Sequence, residues 1–265
     1  MKKNLIIAAV AVLLISCSSV MITGRKQLLL VSDAEVLSMS ASAYKEYIDS
    51  VPASKSVADT EMVKRVGTNI AKAVEEYLRT HGMEGEISKL AWEFALVEDT
   101  TVNAFCMPGG KVVFFEGILK MTRDEAGLAV VMGHEIAHAI AKHSNERMSQ
   151  QMLAQYGAVI TDVVFSEKSI ATRATINALY GLGANVAVIL PYSRKHEYEA
   201  DRLGTIFMAM AGYDPNQALT FWSRMAANDS GSVFEFMSTH PTDANRIAKL
   251  REVLPEAMTY MKTAE

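Results

Sequence analysis

The chain has 265 residues, half of them hydrophobic, enough to bury a sizeable core within one domain. Its formal charge is −4, or −6 once Lys2 and Lys3 are set aside, which argues against nucleic acid or any other anionic polymer as a partner. Two cysteines cannot supply a disulfide scaffold.

Lys2 and Lys3 ahead of the apolar segment Leu5 to Ile15 read as an export signal over residues 1–16, too short to span a bilayer comfortably. Leu14-Ile15-Ser16-Cys17 is similar to the lipobox of bacterial lipoproteins. That resemblance implies a lipid on Cys17 and a membrane reached through that anchor; the alternative is an ordinary signal peptide with an incidental cysteine. Ser18 is similar to the outer-membrane sorting signal of enteric bacteria. The expected location is therefore the bacterial cell envelope, on the periplasmic face of the outer membrane. Residues 17–265 are expected to form a single domain, with 17 to about 31 as its tether.

Ser32 and Glu35 make a capping box for a helix to about Asp49, and Pro52 marks a break. Val63, Val66, Ile70, Val74 and Tyr77 recur at helical spacing between Asp59 and Thr80, with Gly82 as a C-terminal cap. Residues 90–97 alternate Trp92, Phe94 and Leu96, the pattern of a strand with one buried face. Val102 to Cys106 and Lys111 to Phe115 flank Pro108-Gly109-Gly110 and predict a hairpin. Asn103 within it is either a solvated edge residue or part of an edge to which an extended peptide adds itself. Cys106 is either an inert thiol or half of an intermolecular disulfide.

Thr122 and Glu125 read as a second capping box, opening the apolar run from Ala126 to Ala141. Inside it lies His134-Glu135-Ile136-Ala137-His138. At about 100° per residue the two histidines share one face a turn apart, so both imidazoles reach one metal ion. Glu135 sits beside them without being a ligand, where a general base is needed. A plain core helix with two histidines is the bland reading, but burying that set without partners would cost several kcal/mol. His143, about 140° further round a straight helix, is expected to be structural.

Residues 145–165 predict another helix, and 174–193 lack any charged side chain. That stretch is a buried or lid-forming segment, or else a membrane span, against which Gly181, Gly183, Asn177 and Asn185 dilute its hydrophobicity. The helix from Ser193 to Ala211 places Glu197 and Asp201 on one face, with Ala200 and Gly204 small enough for close approach to Ala137 and Ala141. The approach would deliver Glu197 as third ligand, leaving an open position as in a catalytic zinc site. Asp201 would then orient a ligand imidazole through its other ring nitrogen. Gly212 ends this helix and Asp214-Pro215 begins the next, to about Ala227. His240 precedes Pro241 and so reads as locally extended, either a surface histidine or one that swings toward a metal or an oxyanion.

Taken together, the chain resembles the gluzincin metallopeptidases that include the CAAX prenyl proteases, the HtpX peptidases and the LoiP- and BepA-type bacterial lipoprotein peptidases. The resemblance runs from Gly24-Arg25-Lys26-Gln27-Leu28 through Asn103-Ala104-Phe105, Pro108-Gly109-Gly110, His134 to His138, Ser193-Arg194 and Glu197-Tyr198-Glu199-Ala200-Asp201 to His240-Pro241 and Arg246-Ile247. It is nearest to the stand-alone lipoprotein members. It implies a mainly α fold with a small β-sheet (α+β), zincin-like, with the histidine pair and a ligand glutamate on two helices. It implies one Zn2+ held by His134, His138 and Glu197 rather than Glu199, with Glu135 as base. It further implies that Asn103, Ala104 and Phe105 line the substrate cleft and that His240 lies near the zinc, as a plug in some relatives. The expected function is zinc endopeptidase action on polypeptide substrates, unfolded or misassembled envelope proteins in quality control. The competing reading is a zinc-bearing chaperone or assembly factor with little proteolysis.

Overall fold

The computed structural model describes residues 17–20, 22–164, 166, 168–172, 174–176, 178, 190–227, 236, 238, 240 and 244–261. The expected export signal over 1–16 and most of the uncharged stretch 174–193 lie outside the described residues. Among those described, no helix is long and apolar enough to cross a membrane. Two compact units divide the chain: the N-terminal segment through Asp33 with Lys142–Lys195, and Ala34–Ala141 with His196–Glu265.

In the first unit, β1 (Cys17–Ser19) pairs antiparallel with β2 (Lys26–Leu28), and α6 (His143–Val164) packs on β2. Arg25 donates from both terminal nitrogens to Glu146, a carboxylate only 1% exposed, at 3.0 and 2.7 Å. Ser149 Oγ accepts from the Leu30 amide and Asn145 Nδ2 donates to the Val31 carbonyl, so β2 and the chain after it are sewn along α6.

The second unit carries α1 (Asp33–Ser50), α2 (Val57–Thr80), the short α3 (Glu84–Ile87) and the strands β3 (Glu93–Val97), β4 (Ala104–Met107) and β5 (Lys111–Phe115). α4 (Glu116–Thr122), α5 (Glu125–Ile140), α7 (Leu190–Met210), α8 (Asn216–Ala226) and α9 (Ala244–Thr259) follow. α2 opens on Ser56, which accepts from the Asp59 amide, and closes at Gly82 with φ +69°, as its sequence requires. Its buried stripe contains Val63, Val66, Ile70, Val74 and Tyr77, five positions read from periodicity.

The sheet order is β3-β5-β4. The expected hairpin forms between β4 and β5 with Gly109 and Gly110 at φ +87° and +82°, but β3 joins parallel to β5. β4 is thus left at an edge, packed against α5.

The start of α5 differs from the expected capping box. Thr122 ends α4, its hydroxyl donating to the Leu119 carbonyl, and Arg123 turns the chain at φ +70°. Asp124 is the N-cap, accepting from the Gly127 amide at 2.8 Å. An ionised carboxylate at that point also complements the helix dipole, which a threonine would not. α5 ends at Ile140, and Lys142 at φ +58° breaks the chain before α6, so His143 does not continue the same helix as assumed.

Candidate metal centre

Twelve consecutive residues of α5, Gly127 to His138, are buried, because α2, β4 and α8 all pack on it. α7 crosses it at Gly133 and Gly204: a Cβ on Gly133 would lie 2.6 Å from the Gly204 carbonyl oxygen, and one on Gly204 would lie 2.7 Å from the Gly133 carbonyl carbon. The close approach therefore uses the expected Gly204 on α7, but on α5 it falls at Gly133, one turn before the expected Ala137. The reason is that only two glycines let helix backbones touch.

That crossing sets the heads of His134, His138 and Glu197 against one another. His134 Nε2 lies 3.1 Å from His138 Nε2 and 3.3 Å from Glu197 Oε2, and His138 Nε2 lies 3.4 Å from Glu197 Oε1. Donors bound to one tetrahedral zinc at about 2.0–2.1 Å stand about 3.3 Å apart, so the spacing fits a shared cation. Glu197 Oε1 is buried without a hydrogen-bond partner, an orphaned acceptor that such a cation would satisfy. His240 joins the same donor set, with Nδ1 3.2 Å from His134 Nε2 and 3.1 Å from Glu197 Oε2. Its amide donates to the Phe236 carbonyl at 2.9 Å, so His240 closes a helical turn instead of lying extended. A residue before proline is disfavoured, not forbidden, in that role.

Glu135 is 3% exposed, with Oε1 lacking a hydrogen bond and standing 3.5 Å from His240 Nε2. Burial raises its pKa above the usual carboxylate range. Glu197 goes the other way: burial opposes its charge, but the neighbouring His138 and His240 outweigh it and hold its carboxyl well below that range. His134 Nδ1 stands 3.0 Å from Asp201 Oδ1, leaving Nε2 aimed at the donor cluster. Burial would lower the His134 pKa, yet its bonds to Asp201 and Glu197 lift it to about 9.

Glu199 is buried but outside the cluster, as its helical phase requires. On β4, Ala104 faces the core, and Phe105 packs edge-on to Tyr47 and Phe115 at 5.4 and 6.1 Å. Asn103 precedes the strand, its side-chain oxygen accepting from the Ala104 amide and its carbonyl from the Phe115 amide. Cys106 is a buried free thiol whose pKa burial pushes up, a setting that suits the inert reading. Two participants were given no role by the sequence, Arg246, which enters only as part of the family resemblance, and Trp222. Arg246, 1% exposed, grips Asp201 through Nε and Nη2 at 2.7 and 2.9 Å, and Trp222 lies 3.6 Å beneath its guanidinium.

A histidine pair one turn apart, a glutamate between them and a carboxylate from a second helix define a zincin-like metallopeptidase fold. The chain belongs to Peptidase family M48, whose profile matches residues 64–254. It is 38% identical over 198 residues to "Mitochondrial metalloendopeptidase OMA1" of Schizosaccharomyces pombe, covering 74% of this chain and 55% of that one. It is 30% identical to "Metalloendopeptidase OMA1, mitochondrial" of Homo sapiens, over 89% of this chain and 46% of the relative. It is 29% identical to "Beta-barrel assembly-enhancing protease" of Escherichia coli, over 66% and 38%. The chain thus spans about half the length, or less, of these curated relatives.

These relationships correct the location read from the N-terminus. Fungal, plant and animal relatives are named mitochondrial, which contradicts a bacterial protein on the periplasmic face of the outer membrane. A few basic residues, a short apolar run and a cysteine carry little information, since several kinds of targeting segment share them.

Proposed function

We propose that the chain is a zinc metalloendopeptidase that cleaves unfolded or misassembled polypeptides. The observation that carries this reading is the set of three donor separations, 3.1, 3.3 and 3.4 Å, around the orphaned Glu197 oxygen. His134, His138 and Glu197 would hold the ion. When bound, zinc supplies a Lewis acid that activates water and polarises the scissile carbonyl. Glu135 takes the proton of the attacking water and returns it to the departing amine nitrogen. Asp201 keeps His134 Nδ1 protonated, so that Nε2 remains a donor. The free edge of β4 offers main-chain groups beside α5, suiting an extended peptide of little sequence preference. Flexible or unfolded segments satisfy that requirement, and the Escherichia coli relative, named for enhancing assembly, supports polypeptides not yet assembled as substrates.

Purified full-length protein should digest unfolded casein, stop when a chelator strips the metal and resume when zinc is returned. Digestion indifferent to chelator would refute the metal's role. Zinc binding without digestion, together with suppressed casein aggregation, would favour the chaperone reading instead.

His240 Nδ1 lies 3.1 Å from Glu197 Oε2, close enough that it would fill the position a catalytic site leaves open. His240→Ala should therefore raise kcat/KM for casein several-fold. A fall would assign the ring to transition-state stabilisation, and no change would remove it from the site.

A further inference from the structure

We propose that Arg246 is a positioning residue for the metal centre, acting through Asp201 and Glu197 and itself held in place by Trp222. This rests on the proposed metal site and goes beyond it, because the residue supplies none of the proposed ligands and acts on them from α9, its Nη2 standing 3.5 Å from the His134 ring nitrogens.

The guanidinium is 1% exposed, so every donor it carries must find a partner inside the protein. Nε and Nη2 bond the two oxygens of Asp201 in a fork, at 2.7 and 2.9 Å. Nη1 stands 3.2 Å from Glu197 Oε2 and donates to the His240 carbonyl at 3.3 Å. One planar group therefore fixes the carboxylate that orients His134, one oxygen of the candidate ligand Glu197 and the backbone of the segment carrying His240. The charge is well compensated: burial disfavours it, but Asp201 and Glu197 outweigh that cost and raise the Arg246 pKa above its ordinary value.

Trp222 explains why the plane of the guanidinium is fixed. Its indole lies 3.6 Å from the central carbon of Arg246, stacks on Phe236 with centroids 6.0 Å apart, and meets the His134 ring edge-on at 5.2 Å. Trp222 belongs to the buried face of α8, which packs on both α5 and α9. The stack leaves the guanidinium little freedom to tilt, and a tilt would break the fork on Asp201. Lysine, with a point charge and no plane, cannot reproduce the fork, the Glu197 contact and the stack together.

The test is a cycle of Arg246→Lys, Asp201→Asn and the double variant, made in the full chain. Zinc affinity is read by competition with a chromophoric chelator, and casein hydrolysis and melting temperature are read beside it. Positioning predicts that Arg246→Lys weakens zinc binding about 10- to 100-fold. It also predicts a fall in kcat with KM little changed, and a double variant no worse than Asp201→Asn alone. A structural role alone predicts a lower melting temperature with zinc affinity within twofold of the parent, and effects that add; either result overturns the proposal. If Arg246→Lys does not fold, Trp222→Phe is read the same way, and unchanged zinc affinity there overturns it. Should the parent chain itself bind no zinc, the proposed function fails and not this inference alone.

Discussion

Glu135→Gln should lose about 10²- to 10⁴-fold of kcat for peptide hydrolysis while zinc binding stays at parental strength. The amide has the shape of the carboxyl but no basic oxygen, so it cannot take a proton from water. The site's geometry should survive, because the amide fills the same space and Glu135 Oε1 makes no hydrogen bond that the substitution would break. Stability should hold or rise. Burial already raises the pKa of this carboxyl, so the ionised form is held at a cost that a neutral amide avoids. Three measurements check this: kcat on casein, zinc content per chain and melting temperature. Parental activity with full zinc would remove Glu135 from the reaction, whereas lost zinc would mean that its carboxylate belongs to the donor set.

The features legible in the sequence are those that follow from the geometry of a single helix. Four-residue spacing puts His134 over His138 on α5 and Glu197 over Asp201 on α7, and the structure has His134, His138 and Glu197 facing one point with Asp201 behind His134, at its Nδ1. The hairpin around Gly109 and Gly110 was readable for a similar reason, since positive φ at both residues is a local demand. What joins distant segments was hidden. Arg246 and Trp222 sit among polar and amphipathic residues whose pattern suggests a surface, because a fully buried arginine looks the same in sequence as a solvated one. The parallel β3 and β5 pairing depends on α2 packing against β3, through the Phe94 ring that lies over Gly67. In the sequence Thr122 reads as the cap, and the positive φ at Arg123, which separates α4 from α5, is what hands that role to Asp124. His240 was harder still, since the proline rule governs its local conformation but says nothing of which donors it meets.

Gly204→Ala should disable the site from a position that bears no chemistry. The added methyl would stand 2.7 Å from the Gly133 carbonyl carbon and equally from the His134 amide nitrogen, both backbone atoms of α5 that cannot rotate aside. Alanine favours a helix over glycine by about 1 kcal/mol, yet overpacking against a helix backbone costs about 1–3 kcal/mol, so the net effect is destabilising. The functional loss should exceed the loss of stability. α7 can accommodate the methyl only by moving away from α5, and that movement carries Glu197 from contacts now at 3.3 and 3.4 Å. A donor displaced by a few tenths of an ångström no longer closes a tetrahedral set, so zinc affinity should fall at least tenfold and casein hydrolysis with it. Gly85→Ala serves as the control, because its Cβ would meet nothing within 4 Å and should leave both quantities unchanged. If Gly204→Ala binds zinc as tightly as the parent and melts at the same temperature, the glycine crossing is not what holds the carboxylate against the histidines.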